Sequence, residues 1–280
     1  MYLLIDILVI FLVNLLCLLP GLKKQKYYIT TGYGLSVSCD AVCIFILCLI
    51  ARPLNWLEYF KQGFIFHFLL LIIYGYRLAH FLYKRSFNSN YNAKVKEFKS
   101  VSWSISVAMM LSCAAIYLCM TSSLFVDGRS LTHGYSTNYV IKFVGIVIMI
   151  CGLVVESVAD SQKTFYKESN PDLFCSQGLY KYVRMPNYFG EITFWFGNFF
   201  TIFATKKELL LSILSMLGFL LTLLIIIPAA RYLDKKQVEH YGKNPKYLEY
   251  RRTTPILFPF IPLYSFSCSP LSEQKSSKEE

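Results

Sequence analysis

ELLLSILSMLGFLLTLLIIIPAA, residues 208–230, has one ionisable side chain, Glu208, in 23 positions. A helix needs about 20 mostly apolar residues to cross the hydrocarbon of a bilayer, so this stretch predicts a spanning helix. Working outward from it, six more stretches meet or approach that length: about 3–20, 33–51, 62–83, 102–126, 138–158 and 189–204. The expected fold is therefore all-α, a polytopic membrane bundle of about seven helices. It forms one domain over 1–262, with its motif-rich part at 138–262 and a polar cytosolic tail at 263–280. The stretch 189–204 is short and interrupted by Gly190 and Gly197, and two readings are open for it, a full crossing or a re-entrant helix. The first stretch holds Asp6 and lacks a small-residue cleavage site, so it is expected to remain as a span.

The composition agrees. The chain of 280 residues is 55% hydrophobic and only 16% charged, with mean hydropathy +0.45. Soluble domains carry about 25% charged residues, so a soluble α/β enzyme, a secreted disulfide scaffold and a disordered chain are excluded. The net charge of +11 follows topology and anionic lipid rather than nucleic acid. Segments 21–32, 84–101, 159–188 and 231–280 hold 21 Lys and Arg against six in the alternate segments, which predicts those four on the cytosolic side, with the C-terminus. The nine Cys show no close CxxC spacing and read as apolar filler. Neither disulfide nor metal is expected.

Ionisable groups in spans are costly and mark functional or partner-paired positions. Here they are Asp6, Asp40, Arg77, His80, Glu156 and Glu191. Tyr74, Arg77 and His80 recur every three residues in YGYRLAHFLYKR, a stripe expected to point into the bundle. Arg77 reads equally as a functional cation or as a structural one paired with Asp40 or Glu156. Glu156, Asp160 and Lys163 in ESVADSQKTFYK share a face, which fits either a solvated helix end or a site. In GLYKYVRMPNYFGEITFWFGN, residues 178–198, Pro186 suits the first turn of a helix, which is expected to begin near Met185 to Asn187. Asn187 and Glu191 then lie one turn apart, with Arg184 just before them, where a guanidinium can fork onto phosphate. Arg231, Tyr247, Tyr250, Arg251 and Arg252 add cations and hydroxyls after the last span; flanking anchors read the same way. Gly32 and Gly34 in GYGLSV open a span rather than follow a strand and lack the third glycine of a dinucleotide fingerprint.

YGYRLAHFLYKR, the run from Glu156 to Lys163, GLYKYVRMPNYFGE, and Tyr247, Tyr250, Arg251 and Pro255 before LFPF together resemble the steroid 5α-reductase-like family of membrane enzymes, especially its shorter branch with an uncharacterised reductase-like domain. The resemblance covers roughly Tyr74 to Pro262. Isoprenylcysteine carboxyl methyltransferases share the Arg-x-Pro-x-Tyr element more distantly. The family pattern has His before the proline where this chain has Met185, so no role of that His carries over.

The resemblance implies an endoplasmic reticulum enzyme that uses NADPH to reduce a carbon–carbon double bond conjugated to a carbonyl in a sterol, steroid-like or other lipid. It implies cofactor contacts at Asp160, Arg184, Asn187, Tyr188, Glu191, Arg231, Tyr247 and Arg251. Catalytic roles fall to Tyr74, as donor to the substrate carbonyl, and to Asp40, as the acid on the preceding span. A phenolic donor suits charge that builds on a carbonyl oxygen in a dry pocket, and a buried carboxyl can remain protonated. The alternative is a membrane methyltransferase using S-adenosylmethionine, sharing Arg184, Pro186, Tyr188, Glu239 and Tyr250. Asp160, Gln162, Lys163, Asn187 and Glu191 favour the reductase. A transporter would line a path at mid-membrane, whereas most polar groups here gather at one mouth.

Overall fold

The computed structural model describes residues 2–51, 56–86, 102–205, 207–259 and 261–265. The tail beyond 265, Cys268, and Arg52, Lys206 and the lysines at 94, 96 and 99 used in the orientation count lie outside the described residues. The described chain is helical, with no strand. Its α-helices are α1 (Tyr2–Leu18), α2 (Thr31–Ala51), α3 (Trp56–Lys61), α4 (Phe64–Ser86), α5 (Trp103–Thr132), α6 (Tyr139–Ser169), α7 (Pro186–Phe200), α8 (Leu209–Tyr241) and α9 (Pro245–Thr253). Among the described residues, six helical segments are long and apolar enough to cross a membrane: Leu3–Leu22, Gln25–Ala51, Phe64–Arg85, Trp103–Thr132, Tyr139–Ser169 and Leu209–Tyr241.

Of about seven expected spans, six are thus long and apolar enough among the described residues, and the stretch 189–204, open to two readings, is the one that is not. Pro186 starts α7 as expected, but its 15 α-helical residues reach only about 22 Å at 1.5 Å per residue, against about 30 Å of hydrocarbon. Helices α5, α6 and α8 run past the apolar stretches to Thr132, Ser169 and Tyr241. Their extensions carry mixed polar and apolar residues, which a hydropathy reading ends early and a packed helix does not.

Packing divides the chain into two units, residues 1–151 with 193–222 and residues 152–192 with 223–280, with the boundaries inside α6, α7 and α8. In the first unit α2 lies against α4. A Cβ on Gly34 would sit 2.5 Å from the Gly75 carbonyl oxygen, so the two backbones approach closely only because both positions lack a side chain. In the second unit a Cβ on Gly190 would come 2.5 Å from the Glu156 amide nitrogen, which brings α7 onto the polar face of α6. The stripe on α4 does not point inward as a whole: Tyr74 is buried, Arg77 half-buried and His80 exposed against Tyr76. Steps of three residues at about 100° each drift around the helix, so His80 has left the face that Tyr74 occupies.

Candidate functional site

Tyr33–Gly34 and Tyr74–Gly75 are the same dipeptide on two helices, and the glycine contact sets the two tyrosines opposite each other. The Tyr33 and Tyr74 hydroxyls are 3.3 Å apart, and the Trp195 indole N–H donates to the Tyr33 oxygen at 2.7 Å. Phe194 stacks on the Tyr74 ring at 4.0 Å between centroids, and Arg77 lies 5.9 Å from the same ring. Tyr74 is fully buried. An indole N–H can only donate, so the Tyr33 oxygen is the acceptor of that bond, while either tyrosine hydroxyl can donate to the other.

Asp40, two turns along α2 from Tyr33, is also fully buried, but its hydrogen bonds go elsewhere. Its Oδ2 accepts from Asn14 Nδ2 at 3.0 Å and from Thr121 Oγ1 at 2.8 Å. Asp40 is therefore tied to α1 and α5, and neither Tyr74 nor Arg77 is its hydrogen-bond partner.

The first unit also contains a charged group that the sequence reading did not single out. His67 Nδ1 lies 2.7 Å from Asp127 Oδ2, Lys142 Nζ lies 3.0 Å from the same oxygen, and His67 Nε2 lies 2.9 Å from Asn198 Oδ1. Asn198 also accepts from Ser123 Oγ at 2.7 Å and donates to the Met120 carbonyl at 2.9 Å. All five side chains are buried. Each charge sits near the end of an apolar run, where sequence alone reads it as an interfacial anchor.

In the second unit the motif 178–191 folds on local bonds. Gly178 has φ +61° with the Gln162 side chain packed beneath it, and the Leu179 amide donates to Gln162 Oε1 at 2.9 Å. The Tyr180 hydroxyl donates to the Ala159 carbonyl at 3.3 Å, and the Tyr250 hydroxyl donates to the Tyr180 carbonyl at 2.6 Å. The Arg184 and Met185 amides donate to the Pro255 and Ile256 carbonyls, both at 2.9 Å, which fixes the chain just before α7.

Arg184 is buried and largely used by the protein itself. Its guanidinium donates to Asp234 Oδ1 at 2.6 Å, the Thr254 carbonyl at 3.2 Å and the Tyr264 carbonyl at 2.7 Å. Arg251 donates to Ser265 Oγ at 2.8 Å and lies 3.5 Å from Asp234 Oδ2. Asp234, not singled out from the sequence, thus joins two of the expected cofactor residues. Two guanidiniums against one carboxylate leave a buried positive excess. Arg251 Nε is buried without a hydrogen-bond partner. The Tyr247 hydroxyl is close enough to Arg184 to feel its charge but makes no hydrogen bond of acceptable geometry. Burial pushes the Tyr247 phenol up to about 12, opposed by the Arg184 charge, and burial also pushes the Tyr250 phenol up.

The other expected cofactor residues are less enclosed. Asn187, Tyr188 and Glu191 are half-buried on α7, and Asp160 is buried on α6 beside the Ala159, Cys175 and Tyr180 cluster. Arg231 is exposed and lines an open pocket of about 450 Å³ with Pro228, Tyr232 and Lys235. A second open pocket of about 330 Å³ is lined in part by Gln162, Tyr166, Asn170 and Cys175. The structure thus brings Arg184, Tyr247 and Arg251 together in the second unit, and places Tyr74 and Asp40 in the first.

Residues 33–254 match the model of a family described as "Protein of unknown function (DUF1295)". No curated protein and no solved structure matches the chain.

Proposed function

We propose a reaction for a chain that belongs to the DUF1295 family: reduction of a carbon–carbon double bond conjugated to a carbonyl in a membrane lipid, with NADPH as reductant, as the resemblance to steroid 5α-reductase-like enzymes suggests. The observation that carries this reading is the buried group of Arg184, Arg251 and Asp234. Its positive excess, with the unused Arg251 Nε and the Tyr247 hydroxyl beside it, suits a ligand bearing several phosphate charges. S-adenosylmethionine carries a sulfonium cation and is a poorer match to that charge.

When bound, NADPH would supply hydride to the β-carbon of the substrate. Arg251 and Tyr247 would hold its phosphates, Arg184 would keep the cationic group in place through Asp234, and Asn187, Tyr188, Glu191 and Asp160 would bind its ribose and nicotinamide. Arg231, on the exposed side of α8, would serve as a peripheral cation. Negative charge would develop on the substrate carbonyl oxygen, and Tyr74 is the donor proposed for it: its hydroxyl lies 3.3 Å from that of Tyr33, which can donate to it. The surrounding aromatic rings keep water away, where a preorganised donor has its greatest effect. A cytosolic C-terminus and residence in the endoplasmic reticulum belong to the same proposal.

Purified protein in detergent is expected to gain about 2.7 kcal/mol of stability from NADPH at 100 times its Kd, read as a rise in Tm, and no comparable rise from S-adenosylmethionine. The reverse ranking would overturn the reductase in favour of the methyltransferase. With an enone substrate, Tyr74→Phe is expected to lower turnover by about 10²–10³-fold, the range for a lost oxyanion donor, while the NADPH shift in Tm persists. Unchanged turnover would remove Tyr74 from the chemistry. Glu191→Ala tests the cofactor face better than Arg184→Ala, because Arg184 also holds the Thr254 and Tyr264 carbonyls.

A further inference from the structure

The strongest unexplained feature of the first unit is a pair of orphaned oxygens. Asp40 and Asn14 are both fully buried, on α2 and α1. Asp40 Oδ2 already accepts two hydrogen bonds, from Asn14 Nδ2 and Thr121 Oγ1. Asp40 Oδ1 and Asn14 Oδ1 have no partner. These are the two atoms that the second bond of a planar acid–amide pair would join. As a carboxylate, Asp40 would leave two acceptor oxygens buried without a donor, and no cation stands within ion-pair distance of it among the described residues. Buried acceptors in a bilayer are almost always satisfied. One added proton satisfies both: Oδ2 becomes the carbonyl oxygen with its two lone pairs used, and Oδ1 becomes a hydroxyl donating to Asn14 Oδ1.

We propose that Asp40 is a membrane-buried proton-binding site, a neutral carboxylic acid closed into a two-bond ring with the Asn14 carboxamide. The titratable groups around it are Cys17 on α1 and Cys39 and Cys43 on α2, and among the described residues no charged side chain of α4 or α5 lies within ion-pair distance of it. The proton joins α1 to α2, with Thr121 adding α5 to the same group. Its loss would turn two acceptor oxygens toward each other and loosen α1. The inference rests on the Asn14–Asp40 pairing and not on the reductase reading, so it stands or falls without cofactor or substrate.

Infrared spectroscopy of the purified full-length protein reads the proton directly, because the carbonyl stretch of a protonated acid is separate from carboxylate bands and shifts in deuterated water. The expected result at neutral pH is an acid carbonyl band that moves when all aspartates carry carbon-13 at the side-chain carboxyl and that is lost in Asp40→Asn. Asn14→Leu is expected to keep the band and move it to higher frequency, since the carbonyl loses a donor. Absence of any aspartic acid band in the labelled wild-type protein would show Asp40 to be ionised and overturn the proposal, whether or not Asp40→Asn folds. A band indifferent to Asn14→Leu would overturn the ring. Loss of NADPH binding or of turnover would leave both outcomes unchanged.

Discussion

Asp234→Ala is expected to destabilise the protein by about 3–5 kcal/mol, the range for removing one partner of a buried ion pair. The size follows from what the substitution leaves behind. Asp234 Oδ1 lies 2.6 Å from Arg184 and Oδ2 lies 3.5 Å from Arg251, and all three side chains are buried. Without the carboxylate, two guanidiniums face each other in a poorly solvated site. The damage would also travel along the chain, because Arg184 holds the Thr254 and Tyr264 carbonyls. Limited proteolysis after Arg251 and Arg252 should therefore quicken along with the fall in Tm. Asp234→Asn keeps an acceptor for one guanidinium and should cost less than Asp234→Ala. A loss below about 1 kcal/mol for Asp234→Ala, the scale of an exposed pair, would mean that the cluster is not held by charge.

The spans were legible because a bilayer imposes a length, and runs such as 208–230 meet it with one charge. The ends of α5, α6 and α8 were not, since residues such as those of RYLDKKQVEHY continue a helix through side-chain packing that hydropathy does not register. The cofactor candidates were legible as types. Arg184, Tyr247 and Arg251 do come together, yet the carboxylate between two of them sits in that same stretch, where Asp234 reads as one more solvated charge past a span. Tyr33 shows a different limit. Its flanking glycines read as the first two of a dinucleotide fingerprint that lacks its third, whereas Gly34 instead permits the backbone contact with Gly75 that sets Tyr33 against Tyr74. The repeated Tyr–Gly dipeptide on two apolar helices was the available signal. Asp40 was legible as an out-of-place acid, but its partner was not, because Asn14 is uncharged and lies 26 residues away.

The His67, Asp127 and Lys142 group supports the other large effect. Asp127→Leu is expected to cost about 3–5 kcal/mol, because it leaves the buried Lys142 ammonium without its counter-ion. Lys142→Met should cost less: Asp127 keeps His67 at 2.7 Å, and the thioether chain fills much of the same volume. The double variant Asp127→Leu with Lys142→Met removes both charges and should be milder than the sum of the two single losses, with a coupling of about 0.5–3 kcal/mol for residues in one network. Adding His67→Asn to each arm separates the histidine's share, since an amide can still reach Asn198 but cannot carry charge. Strict additivity in the first cycle would mean that Lys142 and Asp127 do not interact energetically and that the group is held by the Asn198 and Ser123 hydrogen bonds instead. Strong coupling would mean that the ends of α5 and α6 are joined through charge buried from water, an arrangement in which deleting both partners costs less than the sum of the two single deletions.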